Sequence, residues 1–357
     1  MTGRGIDQIL PHPGNPVLYE SYMKDARGYA GLAEAVNGPI PKPVDFAYIW
    51  GDALAELEAR SSEARIINLE TSITTSEDYW KGKGINYRMN PGNIPCLQAA
   101  RIDTCSLANN HVLDWGYEGL LETIATLRAA GIKTSGAGRD IDEAWLPAAK
   151  IIPGRGRLLV FAFGHESSGV TPDWSASKGR PGVAFLRDLS ERTVESINQI
   201  VRKLKQDGDV VVVSIHWGSN WDYDIPREQS RFAHNLIDEA VVDIVHGHSS
   251  HHAKGIEVYR DKLILYGCGD LLNDYEGISG YEEFRGDLGI LYFATADAFT
   301  GHLLNLRLVV MTARRLRLQR ATEDDVLWVE DTLSREGKDF GTMVKREDDG
   351  SLRLEWD

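Results

Sequence analysis

The chain predicts an α/β layered fold with a mostly buried sheet, and two observations carry that prediction. Short apolar, β-branched runs bounded by Gly, Asp, Asn or Pro recur along its 357 residues. Between them lie amphipathic stretches whose apolar residues return every three or four positions, the pattern of helices laid on the faces of a sheet. The strands, in order, are Arg65–Leu69, Thr104–Leu107, Leu158–Phe163, Val210–Ile215, Val242–Val245, Leu263–Tyr266 and Leu288–Ala294. The helices between them are Trp50–Ala59, Tyr117–Ala130, Ser190–Gln206 and Glu228–Ala240. Gly131 closes the second of these as a left-handed cap, and Gly208 marks the stop of the third. Thr71–Gly92, with Thr, Ser, Gly, Asn, Pro and three aromatics, and Ser167–Gly182, rich in Ser, Gly and Pro with Trp174 and Arg180, read as long loops, the walls of a substrate cleft. After Thr322 a helix over Glu323–Arg335 and a strand over Ser351–Trp356 are expected. Residues 1–320 are read as one domain and 321–357 as a tail packed on it. No repeat period and no low-complexity segment appear.

Composition narrows the function. A hydrophobic content of 42% can bury a full core, and a net charge of −14 works against binding a phosphate backbone through bulk electrostatics, so nucleic acid is not the expected partner. Cys96, Cys105 and Cys268 lack paired or CxxC spacing, which points to neither a disulfide framework nor a zinc-thiolate site. The start lacks a signal-peptide pattern and no run approaches the ~18 apolar residues of a transmembrane helix, so a cytoplasmic protein is expected.

Four segments share one design, an apolar strand ending in polar side chains: Ile66-Ile-Asn-Leu-Glu70, Ser106-Leu-Ala-Asn-Asn110-His111, Ser214-Ile-His216-Trp-Gly218 and Val245-His-Gly-His248-Ser-Ser-His251-His252. Taken singly, Glu70 reads as a surface residue opening a loop, Asn110 as a turn cap and His216 as a rim residue. Four of the ten histidines crowd into positions 246–252, and strand ends on one edge of an α/β sheet are where ligands bind. Glu70, Asn110, His216, His248 and His251 together form the mixed carboxylate, amide and imidazole set that suits Mn, Fe or Zn.

In this order, INLE, LANNHVLDWG, SIHWG, HGHSSHH and LYGCGD resemble the CapA family of poly-γ-glutamate capsule biosynthesis proteins, which is similar in fold to calcineurin-like metallophosphatases. The resemblance spans roughly Ile66 to Asp270. It implies a metallophosphatase-like α/β/β/α sandwich with divalent ions, two in number, at the strand C-termini. On it, Glu70 matches the acidic ligand, Asn110 the metal-binding Asn, His111 its catalytic-type neighbour, and His216, His248 and His251 the later histidines. Asp270 stands where the family has an amide. Asp114, in the same LANNHVLDWG motif, is grouped with His111 as catalytic, and Arg88, Tyr87, Trp217 and Asp270 as substrate-binding. The family's first strand, ending in a metal-binding Gly-Asp, is not found before Met1-Thr-Gly-Arg-Gly-Ile-Asp7; a start site internal to the true reading frame is the favoured explanation, and one ion site is incomplete without it.

Three functions follow from that set: metal-dependent phosphoester hydrolysis with His111 as general acid, metal-dependent peptide epimerisation, and a non-catalytic role in assembly. An acidic polymer or peptide is the expected substrate, received between aromatics such as Tyr79, Trp80 and Trp221, with capsule-synthesis or peptide-maturation proteins as partners.

Overall fold

In the computed structural model, which describes residues 1–357, the strand Val210–His216 lies at the centre of a seven-stranded sheet. It pairs in parallel with Gly156–His165 on one side and Ile244–His248 on the other, and Lys262–Leu265 continues the parallel order. Phe185–Leu186 adds a parallel edge, while Ala148–Ile152 and Ile256–Tyr259 pair antiparallel. Such a sheet is buried on both faces, which explains the unbroken apolar run Val210–Val213. Val211, Val213 and Ile215 pack under the helices Glu191–Leu204 and Arg227–Asp238. Val212 and Val160 point the other way and meet Ile66.

Ile66 belongs to a second, three-stranded parallel sheet of Ile66–Asn68, Thr104–Ser106 and Lys133–Ser135. The helix Gly116–Ala129 covers it through Leu120, Ile124 and Leu127. A third sheet is antiparallel: Leu288–Ala296, Leu303–Ala313, Leu352–Trp356 and Thr342–Arg346, with Leu318–Arg320 on the long strand. The helix Glu323–Gly337 opens with a capping box between Thr322 and Asp325 and buries Val326, Val329 and Leu333 against Leu308, Val310 and Val344. The tail expected beyond residue 320 therefore contributes two strands to this sheet.

All seven expected strands form, with ends shifted by up to three residues. Gly131 takes φ +78 after the helix it was expected to close. Trp50 sits in a short 3₁₀ turn, and the helix starts only at Ala53 because Gly51, at φ +44, breaks the chain direction between them. The helix ahead of Gly208 ends at Leu204, since Lys205 turns extended and the Asp209 carboxylate accepts from the Gln206 N–H instead. The strand Leu303–Ala313 and the helix Arg27–Asn37 were not anticipated. In Leu303–Ala313, Leu308 to Met311 are buried on both faces, and a continuous apolar run does not separate strand from buried helix by period. Within the loop Thr71–Gly92, Ser72–Ile73 and Arg88–Met89 pair as short parallel strands.

One gap interrupts the architecture. Ile66–Asn68 pairs only with Thr104–Ser106, and Leu288–Ala296 only with Leu303–Ala313. A cavity of about 790 Å³ runs between these two strands.

Candidate functional site

Parallel pairing delivers the polar segments to one rim. Asn68 lies in register with Ser106, and His216 with His248, so the residues that follow each strand emerge side by side. Glu70 Oε1 stands 3.7 Å from His216 Nε2, which in turn lies 3.1 Å from Asn110 Oδ1. The second Glu70 oxygen accepts from the Asn68 amide at 3.0 Å, and Asn109 donates to Asn68 Oδ1 and to the Leu69 carbonyl, fixing the turn. Behind His216 runs a chain of hydrogen bonds: His216 Nδ1 to His248 Nδ1 at 2.7 Å, His248 Nε2 to Ser214 Oγ at 2.9 Å, and Ser214 Oγ to His246 Nδ1 at 3.0 Å. Both nitrogens of His248 are thus engaged, one on His216. Gly247 between the two histidines has no room for a side chain, since a Cβ there would sit 2.4 Å from the Tyr266 carbonyl.

Beside this group lies a buried dyad. His111 Nδ1 is 2.7 Å from Asp114 Oδ2, and its Nε2 faces Glu70 Oε1 at 3.9 Å. Lys83 closes the arrangement, 2.7 Å from Asp114 Oδ1 and 2.9 Å from His111 Nδ1. Burial pushes the Asp114 carboxyl up to about 7 even though Lys83 works against it. Burial, followed by the Lys83 charge, holds His111 well below the usual imidazole range. The imidazole is therefore neutral at pH 7, with Nδ1 oriented by Asp114 and Nε2 directed at the rim.

On the far side, His251 Nδ1 pairs with Asp270 Oδ2 at 2.9 Å, and Asn273 donates to the same oxygen. Burial alone would lower the His251 pKa, but Asp270 outweighs it and the net shift is upward. Trp221 packs 5.0 Å from the His251 ring and stacks on Tyr281 at 4.2 Å, so an aromatic platform borders the rim there.

The profile of the family described as "Bacterial capsule synthesis protein PGA_cap" matches residues 1–275. The chain belongs to this family. A "Probable polyglutamine synthesis accessory protein" of Mycobacterium tuberculosis (strain ATCC 25618 / H37Rv) is 48% identical over 355 residues, covering 99% of this chain and 93% of the relative. The "PGA biosynthesis protein CapA" of Bacillus subtilis is 26% identical over 60% of this chain and 54% of its own length. The "Capsule biosynthesis protein CapA" of Bacillus anthracis is 26% identical over 57% and 48% respectively.

Within this member of the family, the residues singled out from sequence do not all meet. Glu70, Asn110, His111, Asp114, His216 and His248 form one continuous network, and His251 with Asp270 borders it. Tyr87 touches it as well: its ring lies 4.4 Å from the His111 ring and its N–H donates to Asp114 Oδ2 at 2.6 Å. Arg88, expected to bind substrate, is instead stacked 3.7 Å over Trp115 and donates to the Ser76 and Asn15 carbonyls. Trp217 is likewise turned into the core, donating to the Tyr266 carbonyl. Lys83, Ser214 and Asn68 were missed. Lys83 lies in a polar loop where one lysine carries no signal, and Ser214 and Asn68 occupy strand positions that sequence reads as packing.

The fit to a divalent cation can be judged on the donors. Glu70 is buried and its carboxyl is pushed up to about 7 by that burial, the mark of a negative charge short of a positive partner. His216 is held well below the usual range by burial, leaving a neutral imidazole able to ligate. With the Asn110 oxygen these provide three converging donors of the mixed type that Mn, Fe or Zn accept. No group of three His, Cys, Asp or Glu side chains alone is arranged to hold an ion. The donor set fits a cation only with the amide oxygen of Asn110 included.

Proposed function

We propose that the protein is a metal-dependent accessory enzyme of capsule-type polymer synthesis, acting on an acidic polymer or peptide alongside other capsule-synthesis proteins. One observation carries the reading: Glu70 and Asn110, far apart in sequence, each approach His216 Nε2, at 3.7 and 3.1 Å, at the C-terminal ends of parallel strands, beside the His111–Asp114 dyad. The reading takes the fold as a metallophosphatase-type sandwich, supported by the contact of Ile66 with Val160 and Val212 between sheets.

Glu70, Asn110 and His216 would hold the cation, with His251 at the border and His248 orienting His216 from behind. When bound, a divalent cation supplies Lewis acidity toward a phosphoryl or carbonyl oxygen. The chain's own groups do the rest. Asp114 fixes the His111 ring, so that Nε2 of the neutral imidazole faces the site and can take a proton from a nucleophile and return it to a leaving group. Lys83 compensates the Asp114 charge and, with His251, sets positive charge beside the rim of an otherwise acidic protein. Acidic groups of a substrate are thereby drawn to this rim and not to the rest of the surface.

The test is direct. Purified protein loaded with Mn, Fe or Zn is expected to retain close to stoichiometric metal by mass spectrometry, and Glu70→Gln or His216→Ala to lose it. Release of product from an aryl phosphate or a γ-glutamyl oligomer should then require the same residues. Protein that neither retains nor is stabilised by any of these metals would defeat the proposal.

A second reading, epimerisation of a peptide, draws on His251 and Asp270 facing the site beside Trp221 and Tyr281, a pair able to move a proton at Cα. Deuterium incorporation into a peptide in heavy water, lost in His251→Ala, would favour it over hydrolysis.

A further inference from the structure

The turn that joins Leu303–Ala313 to Leu318–Arg320 is built against the preference of its residues. Arg314 and Arg317 exchange two backbone hydrogen bonds, at 2.9 and 3.3 Å, and the two residues between them, Arg315 and Leu316, stand at φ +57 and +54. A hairpin turn with two left-handed residues ordinarily carries Asn and Gly, because larger side chains resist that backbone. Here three contacts impose it. Glu276 accepts from the Arg315 and Leu316 N–H groups at 2.6 and 2.5 Å, Tyr48 donates to the Arg315 carbonyl at 3.0 Å, and Leu316 is wholly buried in the core. Held this way, the turn presents Arg314 and Arg315 to solvent, with Arg317 half-buried beside them. Strain kept at an exposed turn is characteristic of sites that bind.

None of these three guanidiniums has a carboxylate partner, whereas Arg285 nearby pairs with Asp287 and Asp325, and Arg320 with Glu56. Acidic groups around the turn are engaged elsewhere: Glu276 by the two N–H groups and the Asn37 amide, Asp52 by the Arg320 N–H. Arg317 Nε is buried without an acceptor. In a chain of net charge −14, three unpaired arginines within four positions concentrate positive potential on one short turn. Its place points to the ligand. Leu288 pairs with Thr312, and Gly289 abuts the Asp270 and Leu271 carbonyls, so the long strand ends at the same rim as the candidate site. Glu276, which clamps the turn, directly follows Tyr275, whose ring lies 5.3 Å from that of His251. A chain of carboxylates engaged at that rim can extend past Asp270 and Tyr275 and meet the arginines, each a planar fork suited to a carboxylate.

We propose that Arg314, Arg315 and Arg317 form a second anion-binding surface, which holds a polycarboxylate chain at a distance from the bond that reacts. The assignment rests on the acidic-polymer reading of the site and gives that polymer a direction, outward from the rim on the Asp270 side. The turn lies beyond residues 1–275, the part of the chain matched by the family profile. A single carboxylate gains little there, since the surface acts through several charges carried on one chain.

Fluorescence anisotropy of labelled poly-γ-glutamate, measured with the full chain in EDTA, tests the proposal without metal or turnover. The unaltered chain is expected to bind, more weakly as salt is raised, and free glutamate at equal carboxylate concentration not to compete. Arg314→Gln combined with Arg315→Gly is expected to weaken binding at least about tenfold. Glycine at 315 relieves the left-handed backbone, so Arg315→Gly alone should raise the Tm while lowering the affinity, which separates a binding role from a structural one. Polymer binding that is absent in the unaltered chain, or that survives both substitutions, would overturn the proposal. So would binding to phosphatidylglycerol vesicles that depends on these arginines while polymer binding does not, the sign of a membrane contact. A site that holds no metal would leave these results standing, so the two readings fail separately.

Discussion

The two halves that meet at the site are held together differently. In the seven-stranded sheet, Gly156–His165, Val210–His216 and Ile244–His248 have partners on both sides, and His216 and His248 are placed by backbone register. In the opposite half, the strand leading to Glu70 is paired on one side only, as is the strand beginning beyond Asp270. There the carboxylates are positioned by side chains: Asn68 for Glu70, His251 and Asn273 for Asp270. Imidazoles fixed by a sheet and carboxylates fixed by local hydrogen bonds will respond differently to mutation.

The largest effect is expected at Lys83, the partly buried cation that faces the fully buried Asp114 in the loosely framed half. Lys83→Met leaves the Asp114 carboxyl without its charge partner and is expected to destabilise by about 3–5 kcal/mol in urea titration. A loss under 1 kcal/mol would mean that Asp114 carries no charge in the native state. Next comes a paired test of the two frameworks. Ile215→Ala, fully buried in the complete sheet, should cost about 2–5 kcal/mol, and Ile66→Ala, half-buried beside the cavity, less than half of that. Equal losses would erase the distinction.

Much of this was legible before any coordinates. The apolar runs at Val210–Ile215 and Leu158–Phe163 are buried on both faces, so hydrophobicity alone marks them, and the polar residues at their ends stand out by contrast. That is why Glu70, Asn110, His216 and His248 were found together. Lys83 was not, because its role depends on a loop folding back onto Asp114, 31 residues later in the numbering of this chain. Arg88 and Trp217 misled for a related reason. Charge and aromaticity near a motif suggest a ligand, yet a guanidinium stacked on Trp115 and an indole bound to a carbonyl satisfy both features internally. The antiparallel sheet was half seen, since the continuous apolar run Leu308–Met311 within Leu303–Ala313 masks the strand period.

Glu70 should sharpen the comparison further. Its pKa is raised to about 7 by burial, so the folded state holds a proton that the unfolded chain has already lost. Stability attributable to this group therefore falls as pH rises from its ordinary value through about 7, and Glu70→Gln is expected to gain about 1–3 kcal/mol at pH 8 in metal-free protein. The same substitution should abolish any rise in Tm on adding Mn²⁺, a rise expected to be larger at pH 8 than at pH 5. Asn68→Ala acts one step further out: with Glu70 no longer held, cation affinity should fall about tenfold in a calorimetric titration, the chain remaining folded. An unchanged affinity would show that Glu70 needs no such support.

The smallest effect belongs to His251 and Asp270, and its sign opposes that of Glu70. Burial lowers the His251 pKa and raises that of Asp270, yet the ion pair outweighs both, so His251 is raised and Asp270 lowered. A raised His stabilises fully below about 6.5 and loses that contribution as pH rises through its folded pKa; a lowered Asp stabilises above about 3.9 and loses it as pH falls through its own. The pair is therefore at full strength between about pH 4 and 6.5, the range across which Glu70 begins to weaken the fold. Asp270→Asn should cost about 1 kcal/mol at pH 5.5 and progressively less toward pH 9, measured by urea midpoints in the Glu70→Gln background to remove the opposing slope. A loss independent of pH would mean that the contact is an uncharged hydrogen bond, and the carboxylates flanking the cavity would then have to be treated as two separate anchors instead of one electrostatic system.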